Sequence, residues 1–296
     1  MIPSSTTASQ LSTRNSQLAV PTIRVCHSPD SDDAFMFYAL AEGLIDTGDI
    51  TYVHELQDIE SLNQRALKGE LEVTAVSIHA YAYLADRYVL LPHGASMGDR
   101  YGPRLVAREP LGRADVRGRR IAIPGPLTSA YLALRLYEPE FEAVPTPFDQ
   151  IEEAVAGGEV QLGLLIHEGQ LTYRTSGLHL VADLGEWWFE QTGLPLPLGG
   201  NVVRRDLGAD RISRISRHLR ASIEYSLRHR DAALDHAMLF ARGLERGQAD
   251  TFVGMYVNDW TRDYGQRGRQ AVGEFLQRGV QAGIIPHAVT VEFVED

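Results

Sequence analysis

The run Leu162-Gly-Leu-Leu-Ile-His-Glu-Gly-Gln-Leu-Thr-Tyr173 changes character within a single residue. Four of its first five residues are aliphatic, and His167 and Glu168 follow directly. A short apolar run fits a buried strand, and a titratable pair with a glycine behind it fits that strand's carboxyl end. Ligands of open α/β sheets sit outside such ends. An imidazole there can take up or release a proton near neutral pH. The plainer alternative is a packed histidine that has found a hydrogen-bond partner.

Four other stretches carry groups able to bind or react. Ser28-Pro-Asp-Ser-Asp-Asp33 precedes an apolar helix. Ser and Asp cap helices, and carboxylates favour the positive end of the helix dipole. Asp30, Asp32 and Asp33 together exceed that need, so the loop reads as the wall of a site. Ser77 and His79 stand at the end of a strand over 71–78, where site residues collect; His79 reads more readily as a half-buried helix-start residue than as a catalytic one.

Gly94-Ala-Ser-Met-Gly98 matches the nucleophile elbow of a hydrolase, but Asp99-Arg-Tyr-Gly-Pro103 follows it. Glycine and proline prevent the helix that the elbow requires. A glycine loop touching a ligand is the better use. Gly125-Pro-Leu-Thr-Ser-Ala130 lies between a strand and a helix, which points backbone N–H groups at an anion. Thr128 and Ser129 would cap that helix equally well. The Gly-Lys pair of a Walker loop is missing.

Absences narrow the chemistry. Lys68 is the only lysine and sits in a polar stretch, which argues against a Schiff base. Cys26 is the only cysteine, so there is no disulfide framework and no cysteine metal cluster. His218, His229 and His236 lack the i, i+4 pairing of a helical metal site and read as solvated. A net charge of −11 argues against a nucleic-acid partner while leaving a small anionic ligand open. No run of 18 apolar residues spans a membrane. Residues 1–20 are rich in Ser and Thr without the apolar core of a secretory signal. They read as a flexible leader on a cytoplasmic protein.

The elements that must position these groups form two series. Strands over 22–27, 51–57 and 71–78 alternate with helices over 34–40 and 58–69. Strands over 120–124, 141–146, 161–168 and 178–184 follow a polar linker near 108–118. Strand–helix–strand repeats imply α/β sheets with right-handed crossovers. The stretch 185–200 carries Trp187 and Trp188, expected to line a pocket rather than plug a core. From Ile212 onward the pattern is helical. The economical arrangement is one lobe of 21–107 plus 206–296, with 108–205 inserted as a second. Asp33, Ser77, Ser96, Thr128, Ser129 and His167 then fall at strand ends or helix starts facing a common cleft.

The ordered motifs resemble a known family. They are Ser28-Pro-Asp-Ser-Asp-Asp-Ala-Phe-Met-Phe-Tyr-Ala-Leu40, Asp58-Ile-Glu-Ser-Leu-Asn63, Val76-Ser-Ile-His-Ala-Tyr81, Gly102-Pro-Arg-Leu-Val-Ala107, Ile166-His-Glu-Gly-Gln-Leu-Thr-Tyr173, Asp183-Leu-Gly-Glu-Trp-Trp188 and Leu194-Pro-Leu-Pro-Leu-Gly-Gly200. The set resembles the menaquinone-biosynthesis branch of the type II periplasmic-binding-protein-like fold, most closely its 1,4-dihydroxy-6-naphthoate synthases. It covers most of 22–206, and the C-terminal helices match only in character.

The resemblance implies an α/β, two-lobed fold with mixed, mostly parallel sheets and a lyase activity. Cyclic de-hypoxanthinylated futalosine would be cleaved to 1,4-dihydroxy-6-naphthoate and a small sugar-derived ketone. It implies no metal and no organic cofactor. The base would be His167, the substrate carboxylate would be held by Thr128, Ser129 and Ala130, and the aspartate of the first motif would be Asp33. Ser77 is expected to contact substrate as well. The partner is a small-molecule carboxylate, and the chain is expected to act as a monomer or homodimer. The family's first motif reads Cys-Pro-Asn-Asp-Thr where this chain has Asp30-Ser-Asp-Asp-Ala34, so two extra carboxylates raise the local negative charge. Chorismate dehydratase, which lacks the Ile-His-Glu motif, and a transporter's solute-binding protein are the alternatives.

Overall fold

Two mixed sheets divide the strands of the computed structural model, which describes residues 22–241 and 243–295. The leader expected over 1–20 lies outside the described residues. The first sheet takes β1 (Thr22–His27), β2 (Thr51–Leu56), β3 (Val73–Ser77), β4 (Tyr88–Leu90) and β5 (Ser96–Gly98). The second takes β6 (Arg104–Ala107), β7 (Arg120–Ile123), β8 (Glu142–Pro145), β9 (Leu162–Leu165) and β10 (His179–Asp183). The chain then returns to the first sheet as β11 (Leu196–Arg204). The strand orders are β2-β1-β3-β11-β4, with β5 also on β11, and β10-β6-β9-β7-β8.

Among the named strands of the described residues, parallel pairing is confined to β1 with β2 and β3, and to β7 with β8 and β9. Here a helix carries the chain back to the end of the sheet where the previous strand began. β6 and β11 run antiparallel to their neighbours. These two strands also differ from the sequence expectation. The sequence expectation puts β6 with the first lobe and β11 with the second, yet β6 pairs in the second sheet and β11 in the first. Their ladder partners decide this, and most of those partners lie far away in the chain.

The helices are α1 (Ser31–Ala41), α2 (Ile59–Leu67), α3 (Ile78–Tyr81), α4 (Ser129–Tyr137), α5 (Ile151–Gly157), α6 (Gly169–Thr172), α7 (Leu184–Thr192), α8 (Ala209–Arg228), α9 (Arg230–Ala237), α10 (Arg246–Tyr256), α11 (Asp259–Arg262) and α12 (Gly265–Gln281). The sequence of α1 is apolar on nearly every side, and the fold uses each of them. Met36, Phe37 and Leu40 share a cluster with Ile23 and Val25 of β1 and with Ile215, Leu219 and Ile223 of α8. Phe35 belongs to a second cluster with Ala233 and Leu234 of α9 and Val253 of α10. Burying a side chain of this size contributes about 1.5–3 kcal/mol, so α1 and the loop before it are firmly seated.

Two C-terminal expectations change. The end of the chain is not helical: Val294 N donates to Leu90 O at 2.8 Å, and Phe293 forms a bridge beside β4. His218 and His236 are part-buried rather than solvated. His218 Nδ1 lies 2.8 Å from Tyr52 Oη, and His236 Nδ1 lies 3.3 Å from Glu42.

The tryptophan stretch also differs. Trp188 is fully buried, donates from Nε1 to Pro195 O at 3.1 Å and meets Phe275 edge-on. It plugs the core, where its ring is packed and its one donor is satisfied. Among the described residues no helix is long and apolar enough to cross a membrane.

Candidate active site

β9 delivers His167. All four of its residues are buried, and Gly163 lets α5 press onto the strand. A Cβ at Gly163 would lie 2.6 Å from both Ile151 and Val155 side chains. Past the strand the backbone turns abruptly, and His167 takes φ +51°, the left-handed region that favours glycine. Such a conformation costs a β-carbon residue about 1–2 kcal/mol and persists only where its surroundings impose it.

Gln170 supplies part of that constraint. Its backbone N–H donates to His167 O at 3.2 Å. With its side-chain amide nitrogen facing Tyr256 Oη and Gly102 O, at 2.7 Å each, its carbonyl accepts from His167 N at 3.3 Å.

The imidazole reaches the loop between β1 and α1. His167 Nδ1 lies 3.0 Å from Asp30 Oδ2, with the histidine side chain 17% exposed and the aspartate 2%. Phe148 packs against the ring edge-on. Asp30 caps α1 with its other oxygen, which accepts from Asp33 N at 3.3 Å. Burial opposes the charge on Asp30, but the imidazole, the bond from Asp32 and the bond from Asp33 N outweigh it and hold the carboxyl down at about 2. Asp32 is pushed the other way, well above the usual carboxylate range, by burial and then by the neighbouring charges of Asp30 and Asp33. Asp33 turns back on its own loop and accepts from Ser28 N at 2.8 Å.

The turn before α4 faces this loop. Thr128 caps the helix, accepting from Tyr131 N at 3.2 Å and donating to Gly125 O at 2.8 Å. Ser129 Oγ donates to Leu198 O at 2.6 Å and accepts from His79 N at 3.1 Å. Both hydroxyls therefore serve the scaffold. The groups left for an anion are backbone N–H groups of the first helical turn, at Ser129 and Ala130, which have no acceptor within a helix. Ser77, at the end of β3, is held by Asn63 of α2.

One pocket of about 730 Å³, mouth included, joins these elements. Asp33, Ser77, Thr128, Ser129, Ala130 and His167 all line it, together with Ser28, Gly94 and Ser96. Asp30 and Asp32 line it too, and the carboxylate that meets His167 is Asp30, not Asp33. His79 does not line it. It packs behind the turn with Nδ1 3.3 Å from Thr128 O, and burial pushes its pKa down to about 4. Sequence reasoning missed Asn201, Gln170, Phe252 and Tyr256 as lining residues. Gln170 stands three residues after His167, within reach of a helical turn; the other three carry no local signal.

Asp30, Asp32 and His167 are also the described residues whose metal-type donor atoms fall within 4.8 Å of one another. Hydrogen bonds already account for this spacing. Asp30 uses one oxygen on His167 and the other on Asp33 N.

Two mixed sheets with a ligand-sized pocket between strand ends define a protein of the periplasmic-binding-protein-like fold. The alkanesulfonate-binding protein SsuA from Xanthomonas axonopodis pv. citri shares that fold at 14% identity, with a TM-score of 0.67 over 91% of this chain and 96% of that one. The menaquinone biosynthesis family model matches residues 23–281, and the chain belongs to that family. It is 41% identical to the 1,4-dihydroxy-6-naphthoate synthase of Thermus thermophilus over 88% of this chain and 95% of the relative. The crystal structure of protein AF1704 from Archaeoglobus fulgidus is 47% identical and superposes with a TM-score of 0.84, covering 89% of this chain and 98% of that one.

Proposed function

We propose that this chain is a carbon–carbon lyase of menaquinone biosynthesis that forms 1,4-dihydroxy-6-naphthoate from cyclic de-hypoxanthinylated futalosine, with His167 as its base. The observation that carries the reading is His167 itself. It is a histidine forced into a left-handed backbone at a strand end, anchored through Nδ1, in a pocket of ligand size. Strain of this kind is retained where function requires it.

With Nδ1 on Asp30, the nitrogen that takes the proton is Nε2. Removal of a carbon-bound proton next to a carbonyl leaves an electron pair that drives elimination. Aromatisation of the product ring then draws the carbon–carbon cleavage forward, and the small sugar-derived ketone leaves. The substrate carboxylate sits at the start of α4, on the N–H groups of Ser129 and Ala130, about which Thr128 and Ser129 hold the turn rigid. Ser77 and Asp33 contribute polar walls. These steps call on no cofactor.

The finer organisation belongs to the same reading. Each sheet is the centre of one lobe, with the chain crossing near β6 and again before β11. The protein works in the cytoplasm as a monomer or homodimer, in keeping with its single cysteine, buried and unpaired.

The test is to supply the cyclic futalosine derivative to purified protein and follow naphthoate by mass spectrometry. Wild type forms the product, and His167→Ala stays folded and forms none. Full activity in that variant would overturn the assignment.

A further inference from the structure

The loop between β1 and α1 holds two buried carboxyl groups, Asp30 and Asp32, and a half-buried third, Asp33, beside one imidazole, at the pocket reserved for an acidic substrate. Three negative charges so placed with one cationic neighbour would be costly. The geometry removes part of that charge. One carboxyl oxygen of Asp30 and one of Asp32 lie within 4.8 Å of each other in buried surroundings, and two carboxylates so placed are not both ionised without cost, so one of them is held protonated. Asp30 faces His167 and a backbone N–H, both of which favour its anion. Asp32 has no such partners, and its Oδ1 is buried without one. The proton therefore resides on Asp32.

We propose that Asp30 is a positioning residue for His167, fixing the ring by its Nδ1 so that Nε2 is presented as the base, and that Asp32 carries the proton which holds Asp30 in place. The proposal rests on the base role given to His167 above. An anionic acceptor at 3.0 Å locks the ring's orientation and its tautomer, and it stabilises the imidazolium formed when the substrate proton arrives. Asp30 belongs to the first sheet's loop and His167 to the second sheet's strand end, so the base is complete only when the two sheets face each other as they do here. The acidic loop thus serves the base without presenting three charges to the substrate.

The groups facing this pair are His27 of β1, Asp32 and Asp33 of α1, Glu168 beside His167, and Tyr256 of α10. They are unchanged in the decisive variant, Asp30→Asn, which also remains a good helix cap. In that variant kcat falls about 10- to 100-fold, less than loss of the general base itself would cost, while KM changes little. The acid limb of the rate profile moves to lower pH by about one to three units, because the imidazolium has lost its anion. The titration midpoint of the His167 ring, followed by NMR and identified by its loss in His167→Gln, moves the same way.

That midpoint does not depend on turnover. An unmoved midpoint in Asp30→Asn overturns the proposal whatever the activity. A shifted midpoint in a protein inactive toward the futalosine derivative keeps the pair and sinks the lyase reading instead. Asp32→Asn retains a donor toward Asp30 and keeps more of kcat than Asp32→Ala; equal losses in the two variants would overturn the role given to Asp32.

Discussion

Asn63 and Ser77 hold one another through both ends of an amide. Asn63 Nδ2 donates to Ser77 Oγ at 3.1 Å, and Ser77 N donates to Asn63 Oδ1 at 2.9 Å. Both residues are buried, Asn63 completely. The pair ties the end of β3, where the pocket wall begins, to the middle of α2. Asn63→Ala leaves the Ser77 N–H buried without an acceptor, a loss of about 1–3 kcal/mol. Urea denaturation measures it, and KM for the substrate rises because the wall is no longer held. Stability equal to wild type would mean that water or a shifted strand replaces the amide.

His167→Asn separates strain from function. Asparagine tolerates the left-handed backbone better than other residues with a β-carbon. Its amide nitrogen stands close to where imidazole Nδ1 was, so Asp30 keeps a donor. The variant is expected to match or exceed wild type in thermal stability and to form no product. His167→Ala is expected to be less stable than His167→Asn, since it leaves the buried Asp30 carboxylate without its partner. The reverse order in a melting experiment would contradict the Asp30–His167 pairing.

The two coupled aspartates make opposite contributions to stability across acid pH. Asp30 is held down at about 2, so its stabilisation is present above the ordinary aspartate range and is lost as pH falls toward that value. Asp32 is raised by burial and by Asp30, so its protonated form is favoured in the fold, and stability drains away as pH rises above the ordinary range. Asp32→Asn removes that second cost while keeping a hydrogen-bond donor. Its melting temperature is expected to exceed wild type at neutral pH, with the difference shrinking toward about pH 4. A constant difference at all pH values would count against a protonated Asp32.

Chelation distinguishes a hydrogen-bonded set from a metal site at Asp30, Asp32 and His167. Hydrogen bonds account for the spacing of these groups, so treatment with EDTA is expected to leave both naphthoate formation and melting temperature unchanged. Loss of activity restored by a divalent cation would convert the three residues into ligands.

Much of the site was legible because its signals are local. An apolar run ending in His167 marks a strand end in any globular context, and a glycine turn followed by Thr128 and Ser129 marks a helix start. The all-round apolar face of α1 announces burial whatever covers it. The six residues expected at the pocket, Asp33, Ser77, Thr128, Ser129, Ala130 and His167, do line it. What they do there was less legible. The hydroxyls of Thr128 and Ser129 are consumed by Gly125, Leu198 and His79, and only the assembled fold supplies Leu198 and His79.

The sequence by itself determined the alternation of strands and helices, the caps, and the chemical types gathered at the strand ends. These follow from propensity and periodicity over a few neighbouring residues. The tertiary structure alone decided which of three aspartates meets His167, that β6 and β11 exchange sheets, and that Trp188 fills a core instead of a pocket. It also decided that Tyr256 braces, through Gln170, the turn at His167. In each case the deciding partner lies far away in the chain or depends on which oxygen of a side chain faces inward. Such choices are set by packing and hydrogen-bond satisfaction across the two sheets.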